Sequence, residues 1–471
     1  MRKHLTSRFG LVAALEDEEI QPVELNNEGE IVVADPAADP ATPAEPVVVV
    51  EEPIGDNAES LETDLIEVAE TEADVASADE EIADTVEAAD DLEEVAAALE
   101  SAALNGGIDK HSAAVVKVAV GKLYKQAGVR ANAMPAMEAF SGPNTRIRAT
   151  ELALEDIKEK IVKIWQAIVA QIVRAIAWMK DFFEKVFVAA RKLKERALKL
   201  KDRAKQVASK ASGKKDGDDF ESDKIAGALA INGTVPADVA KSLESLKKVA
   251  EEIFGGEQMG VAMTDAAVKS VDTIKSNPKA ILDEATTTVP HVIGKKKTSM
   301  DGFAALPDNT EAYSSEELPG GRAIITIVPV AGLKGDARLN AVKHFSSKVE
   351  MFKGAKANPV TSNKVKFLEV TAAKKLAEDV AGLADALLAY KNHMSKTEAS
   401  AKKLAAAGKQ CGDAAAKATD AEDKKGFELA KALFVSAAAN ANAPGKQFAG
   451  YALNTGKAYL DLVEESLKHY K

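Results

Sequence analysis

Fourteen apolar residues, from Val162 and Trp165 through Val169, Ile172, Ile176, Met179, Phe183, Val186, Ala190, Leu193, Ala197, Leu200 and Ala204 to Val207, recur at alternating intervals of three and four. A strand would repeat every second residue, so the pattern admits only a helix, and its mean interval of three and a half is that of a heptad seam. Pro143, Asn144 and Thr145 carry start signals. A long amphipathic basic helix is therefore expected over 139–213, the seam itself extending roughly 70 Å. Its packing residues are Trp165, Val169, Ile172, Ile176, Met179, Phe183, Val186, Leu193 and Leu200. The partner for this edge is either another helix of the bundle or a second copy of the chain.

The two ends of the helix differ. Ile161–Met179 is apolar nearly all round, whereas the stretch 185–215 carries a dozen Lys and Arg against only Glu195 and Asp202. Arg191, Lys192, Lys194, Arg196, Lys199, Lys201, Arg203 and Lys205 are the candidate contacts to nucleic-acid phosphates. No aromatic platform or base-reading motif accompanies them, so such binding is expected to be non-specific and salt-dependent.

In front of the helix the charge reverses. From Phe9 to Asp109 there is no Lys or Arg but 31 Asp and Glu. Met1–Glu138 holds 8 basic and 32 acidic residues, a formal −24; the remainder holds 53 and 42, a formal +11, and together they give the chain's −13. The front third has few aromatics and is Pro-interrupted over Glu16–Pro53, a composition that buries too little apolar surface to offset chain entropy. Residues 1–138 are thus expected to be a mostly disordered acidic pro-segment, with a nascent helix where Leu61, Leu65, Val68, Leu92, Val95 and Leu99 recur. A short amphipathic helix is expected over His111–Ala131. Arg2, Lys3 and Arg8 ahead of the apolar run Phe9–Leu15 suggest a docking helix, since that run is short for a secretion signal.

Behind the long helix, 222–360 reads as a small α+β domain. Ser242–Phe254 is helical, Asp283–Val292 and Arg322–Val330 are β-rich, and Ile324–Val328 between Pro319-Gly320-Gly321 and Pro329 is the clearest strand. Residues 361–471 return to Ala/Lys-rich helices, Val365–Met394, Lys396–Thr419, Lys424–Asn440 and Pro444–Tyr470, whose short polar links imply an antiparallel helical bundle. The fold class is mainly α.

Little in the chain suggests catalysis. Cys411 is the single cysteine, in an Ala-rich helical context that makes it a structural thiol, and it permits no internal disulfide. The six His residues are scattered, so no zinc spacing exists. Gly294-Lys295-Lys296-Lys297-Thr298 lacks the upstream glycine of a phosphate-binding loop. A non-enzyme with no cofactor and no metal is expected.

The charge break falls at Ala136-Met137-Glu138-Ala139, beside Pro135 and Gly142-Pro143, where an extended and accessible backbone is expected. A small residue two before a glutamate, cut after that glutamate, resembles the recognition pattern of the prohead maturation proteases of large tailed phages. Ala14-Leu15-Glu16, Ala78-Asp79-Glu80 and Ala98-Leu99-Glu100 also match. Ala136–Glu138 is the last match before the composition changes. With Ala-Phe-Ser-Gly-Pro-Asn-Thr-Arg and the Ile/Trp/Lys-rich helix that follow, the layout resembles the internal head, or virion structural, proteins of large myophages, best over 136–203. The resemblance implies a precursor that enters the prohead core among capsid and core proteins in the host cytoplasm. It also implies trimming by the viral protease and a product kept in the virion with double-stranded DNA, in some members ejected with it.

Two other functions fit the same residues. Ile161–Ala190, with Trp165, Trp178, Phe182, Phe183 and Phe187 leading into lysines, would suit a segment that lies on an anionic membrane during genome delivery, although Lys163 and Arg174 oppose a stable span. Alternatively the seam serves core assembly as a helical scaffold, and its charge is incidental.

Overall fold

In the computed structural model of the chain, which describes residues 58–130, 134–209, 217–255, 259–287, 289, 292–299, 302–303, 305–354, 359–415, 421–440 and 443–470, the first element is an acidic helix, α1 (Ala58–Leu104). The chain divides into Met1–Gly55 and Asp56–Lys471, and every described residue belongs to the second unit. The expectation of a mostly disordered pro-segment is corrected over 58–130; the apolar run Phe9–Leu15 and the Pro-rich stretch 16–53 lie outside the described residues.

The reason is a second seam. Leu61, Leu65, Val68, Val75, Leu92 and Leu99 are all buried, and Ile82 is half-buried. They fall on one three-and-four register, so α1 presents a continuous apolar edge despite its acidity. Helix α2 (Lys110–Gln126) follows, capped by Asp109, whose carboxylate accepts from the Ser112 amide at 2.7 Å. The turn between them is fixed on the next helix. Arg146 Nε donates to the Gly106 carbonyl at 2.6 Å, and a Cβ at Gly107, where φ is +78°, would lie 2.8 Å from the Arg146 backbone.

After a single 3-10 turn (Met137–Phe140) the long helix α3 (Pro143–Ser209) runs for 67 residues, about 100 Å. Trp165, Ile172, Met179, Phe183, Val186, Leu193 and Leu200 are buried along it and Val169 is half-buried; the side chain of Ile176 lies outside the described residues. Helix α1 lies along one flank of α3.

The strand β1 (Asp219–Glu221) and the helices α4 (Asp223–Leu229), α5 (Val239–Gly255), α6 (Met259–Ser276) and α7 (Ala280–Asp283) come next. They lead to β2 (Lys295–Lys297), β3 (Thr310–Ser314), β4 (Arg322–Pro329), α8 (Gly335–Val342) and β5 (Ser346–Met351). An antiparallel sheet has the order β2-β3-β4-β5. Its central strand β4 is buried on both faces at Ala323, Ile324, Ile325 and Thr326, and the Gly320-Gly321 turn before it needs φ of +72° and +67°. Asp283–Val292 contains no strand among its described residues. Thr286 instead bonds the loop after β4, its amide to the Leu333 carbonyl and its hydroxyl to the Val330 carbonyl.

The chain ends with β6 (Lys364–Lys366), which pairs with β1, and with α9 (Val370–Ala389), α10 (Lys391–Ala415), α11 (Ala421–Ala439) and α12 (Gly445–Lys468). These four helices are distributed around other elements. Helices α9 and α12 pack on α3 and on each other, while α10 and α11 pack on α6. The largest core cluster draws side chains from α1, α3, α4, α5, β4, α9 and α12, so the four sequence ranges share one interior. A second cluster joins α1 and α2 to the first half of α3 around Trp165 and Phe434.

Candidate functional site: the junction and the basic half of the long helix

The four junction residues sit between α2 and α3. Ala136 has extended geometry (φ −53°, ψ 138°), but Met137–Phe140 winds into the 3-10 turn, closed by the Ala139 amide donating to the Ala136 carbonyl at 2.9 Å. The expectation of extended backbone through the Glu138–Ala139 bond is thus corrected: the chain is extended up to Ala136 and turned beyond it. Phe140 causes this. Its ring is 1 % exposed, in a small cluster with Ala113, Met134, Ala149 and Ala153, and that anchor draws the residues before it into a turn. Glu138 itself points outward, its side chain 80 % exposed and 3.7 Å from Lys110. The Glu138 side chain is thus accessible, while the Glu138–Ala139 bond is held in a turn.

The eight candidate phosphate contacts do not form one free face. Lys192 pairs with Asp64 of α1 at 2.7 Å, and Lys194 and Lys201 pair with Asp385 and Glu378 of α9 at 2.7 Å. Arg196 spans Asp461 and Glu464 of α12, both at 2.8 Å, with only 15 % of its side chain exposed. Burial alone would lower the Arg196 pKa, but the two carboxylates raise it above the ordinary arginine value. This buried cation holds α12 against α3, and removing its charge would strand two carboxylates. Arg191, Arg203 and Lys205 are exposed, Lys205 beside Asp202 one turn away. Lys199 is also exposed.

Other groups that matter here were not singled out by sequence. On α1 the seam register passes through Glu72 and Asp79, seven residues apart, where apolar side chains belong. Both meet Lys446 of α12: Asp79 pairs with it directly, and Glu72 lies against Gly450, where any added Cβ would fall 2.3 Å from its carboxylate. Burial drives the Glu72 pKa up to about 7, with Lys446 pulling the other way. Farther along, Glu93 pairs with Lys431, which is 5 % exposed and lies 4.5 Å from the Trp165 ring centroid. Glu100 reaches Lys158 at 2.5 Å and Lys424 at 2.6 Å; burial opposes its ionisation, but the two lysines hold it below the usual range. Acids at seam positions were the one available signal, and three of their cations, Lys424, Lys431 and Lys446, lie more than 300 residues away.

The aromatics that would form a membrane face are mostly interior. Trp165, Phe182, Phe183 and Phe187 are buried and Trp178 is 39 % exposed. Among the described residues no helix is long and apolar enough to cross a membrane, and no group of His, Cys, Asp and Glu is arranged to hold a metal ion. Gly294–Lys297, with its superficial likeness to a phosphate loop, leads into and forms the sheet's edge strand β2.

No curated protein and no solved structure gives a significant match to the chain. The model of one family, by contrast, matches from residue 64 to residue 465, a span that takes in the acidic helix, the junction, the long helix and nearly all of the helical tail. The chain belongs to the family of phiKZ-like phage internal head proteins.

Proposed function

We propose that the chain is made as a precursor, cut by a phage prohead protease after Glu138, and kept with the genome as a non-enzymatic structural component. As a member of an internal head protein family it is a protein of the phage head interior. The observation that carries the processing reading is the coincidence of three features at one place. The formal charge changes there from −24 to +11, an Ala-x-Glu triplet stands there, and Glu138 is outward-facing in the turn that follows the extended Ala136. The turn beyond it must unwind for the bond to enter an extended protease cleft, and Phe140 sets the cost of that step.

Association with double-stranded DNA is supported by the exposed cations Arg191, Arg203 and Lys205 on the last third of α3. It is non-specific, because phosphate contacts position a protein without reading sequence. Lys192, Lys194, Arg196 and Lys201 serve the fold first. Capsid or core proteins are the partners during assembly in the host cytoplasm, and the buried seam of α3 favours packing within the chain over self-association.

The test is N-terminal sequencing of the protein recovered from purified phage heads. A start at Ala139 is expected, and a head protein with the Glu138–Ala139 bond intact would overturn the processing reading.

A further inference from the structure

The cut and the loss of the acidic segment are separable events. Resting on the processing reading above, we infer that cleavage after Glu138 yields a two-chain molecule in which residues 58–138 stay docked on the body. The surface that holds them is the flank of α3, α11 and α12, and its partner is the chain's own α1–α2 hairpin.

The interface is built like an interior. Leu61, Leu65 and Val68 share the main core cluster with Phe183, Val186 and Leu193, and Leu92 and Leu99 share the second with Trp165 and Ile168. Ion pairs cross it along the whole length of α1: Asp64–Lys192, Asp79–Lys446, Glu93–Lys431, and Glu100 with Lys158 and Lys424. Gly450 leaves room for the Glu72 carboxylate, which would have to shift to admit a Cβ there. None of these contacts passes through residues 136–139, so breaking that peptide removes a covalent tether and disturbs only the turn and the small cluster around Phe140. The family match begins at residue 64, within α1, as expected if this helix is part of the folded unit.

The electrostatic consequence follows from counting. Residues 58–138 alone hold 19 acidic and 5 basic side chains, a formal −14 that outweighs the body's +11, and with residues 1–57 still attached to them the two-chain molecule keeps the side-chain −13 of the intact chain. Cleavage alone therefore does not expose a cationic protein; undocking of α1 does. The Ala78–Glu80 and Ala98–Glu100 triplets lie inside α1, with Ala78 and Leu99 buried, so they are shielded from a second cut until α1 leaves.

The experiment uses the full chain with a site-specific endoprotease sequence inserted between Glu138 and Ala139. After complete digestion the fragments are passed over a sizing column at physiological salt. Co-elution, with release when Val68→Asp and Leu92→Asp are combined in the same background, is the expected result. Separation of the unsubstituted fragments would overturn the inference. In purified heads, a start at Ala139 together with stoichiometric peptides from 58–130 supports retention, and the same start without them overturns it for the mature particle. An intact Glu138–Ala139 bond in heads sinks the processing reading instead, and the engineered cut then decides the docking on its own.

Discussion

Replacing Leu92 by alanine separates an integral acidic helix from a solvated acidic tail. Leu92 is fully buried, in the cluster that contains Trp165, Ile168, Leu99 and Phe434. Removing its isobutyl group deletes buried methyl contacts and leaves a cavity, for which Leu→Ala changes cost about 2–5 kcal/mol. The site is bounded by two helices and by Trp165, which cannot all collapse inward, so we expect about 3 kcal/mol, the middle of that range. Were α1 a nascent helix in solvent, the same change would stay within about 0.5 kcal/mol. The assay is a urea titration followed by the fluorescence of Trp165, in a Trp178→Phe background that removes the half-exposed second indole. Asp91→Ala is the internal control, because Asp91 faces solvent on the same turn. A Leu92→Ala midpoint indistinguishable from that of Asp91→Ala would refute the reasoning, since Leu92 packs into the core and Asp91 does not.

Other outcomes follow from the same geometry. Glu72, raised by burial to about 7 from an ordinary 4.5, binds its proton more tightly when α1 is docked; its contribution is fully present below pH 4.5 and is lost as pH rises through 7. Thermal stability should therefore be higher at pH 6 than at pH 8, and Glu72→Gln should raise it at pH 8 and flatten that part of the profile. Glu100 and Glu464 have the opposite sign: their lysine and arginine partners hold them low despite burial, so their stabilisation is present above the usual carboxylate range and disappears in stronger acid. Phe140→Ala should free the 3-10 turn and speed cleavage of the Glu138–Ala139 bond by a glutamate-specific endoprotease about tenfold or more, because such cleavage tracks the open population; an unchanged time course would show that Phe140 does not guard the bond. If only three or four cations of α3 meet phosphates, DNA affinity of the body should fall roughly 10²-fold between 50 and 200 mM salt, against about 10⁴-fold for eight contacts, a difference that filter binding resolves.

Much of the architecture was legible because it is written in local periodicity. The seam from Val162 to Val207 required one long helix, and a helix runs through all of it. Ile324–Val328, framed by Pro319-Gly320-Gly321 and Pro329, was legible as a strand because the turn chemistry and the β-branched run agree, and β4 occupies those residues. Asp283–Val292 misled for the converse reason. Its Thr and Val content suits a strand, but Thr286 finds its hydrogen bonds in the loop after β4.

The sequence by itself determined the helical periods, the reversal of charge at Glu138 and the absence of recognisable catalytic spacing, since each depends only on residues near one another in the chain. Only the tertiary structure decided that the acidic stretch folds. Within α1 no Lys or Arg relieves the repulsion among its acids, so local rules disfavour an ordered helix there. Its counter-charges come from Lys158, Lys192, Lys424, Lys431 and Lys446, brought alongside by the packing of α3, α11 and α12. The same packing turned Arg196 from a candidate phosphate contact into a buried clasp. A charge's role depends on what lies within a few ångströms of it, and for these residues that neighbour is set by the fold.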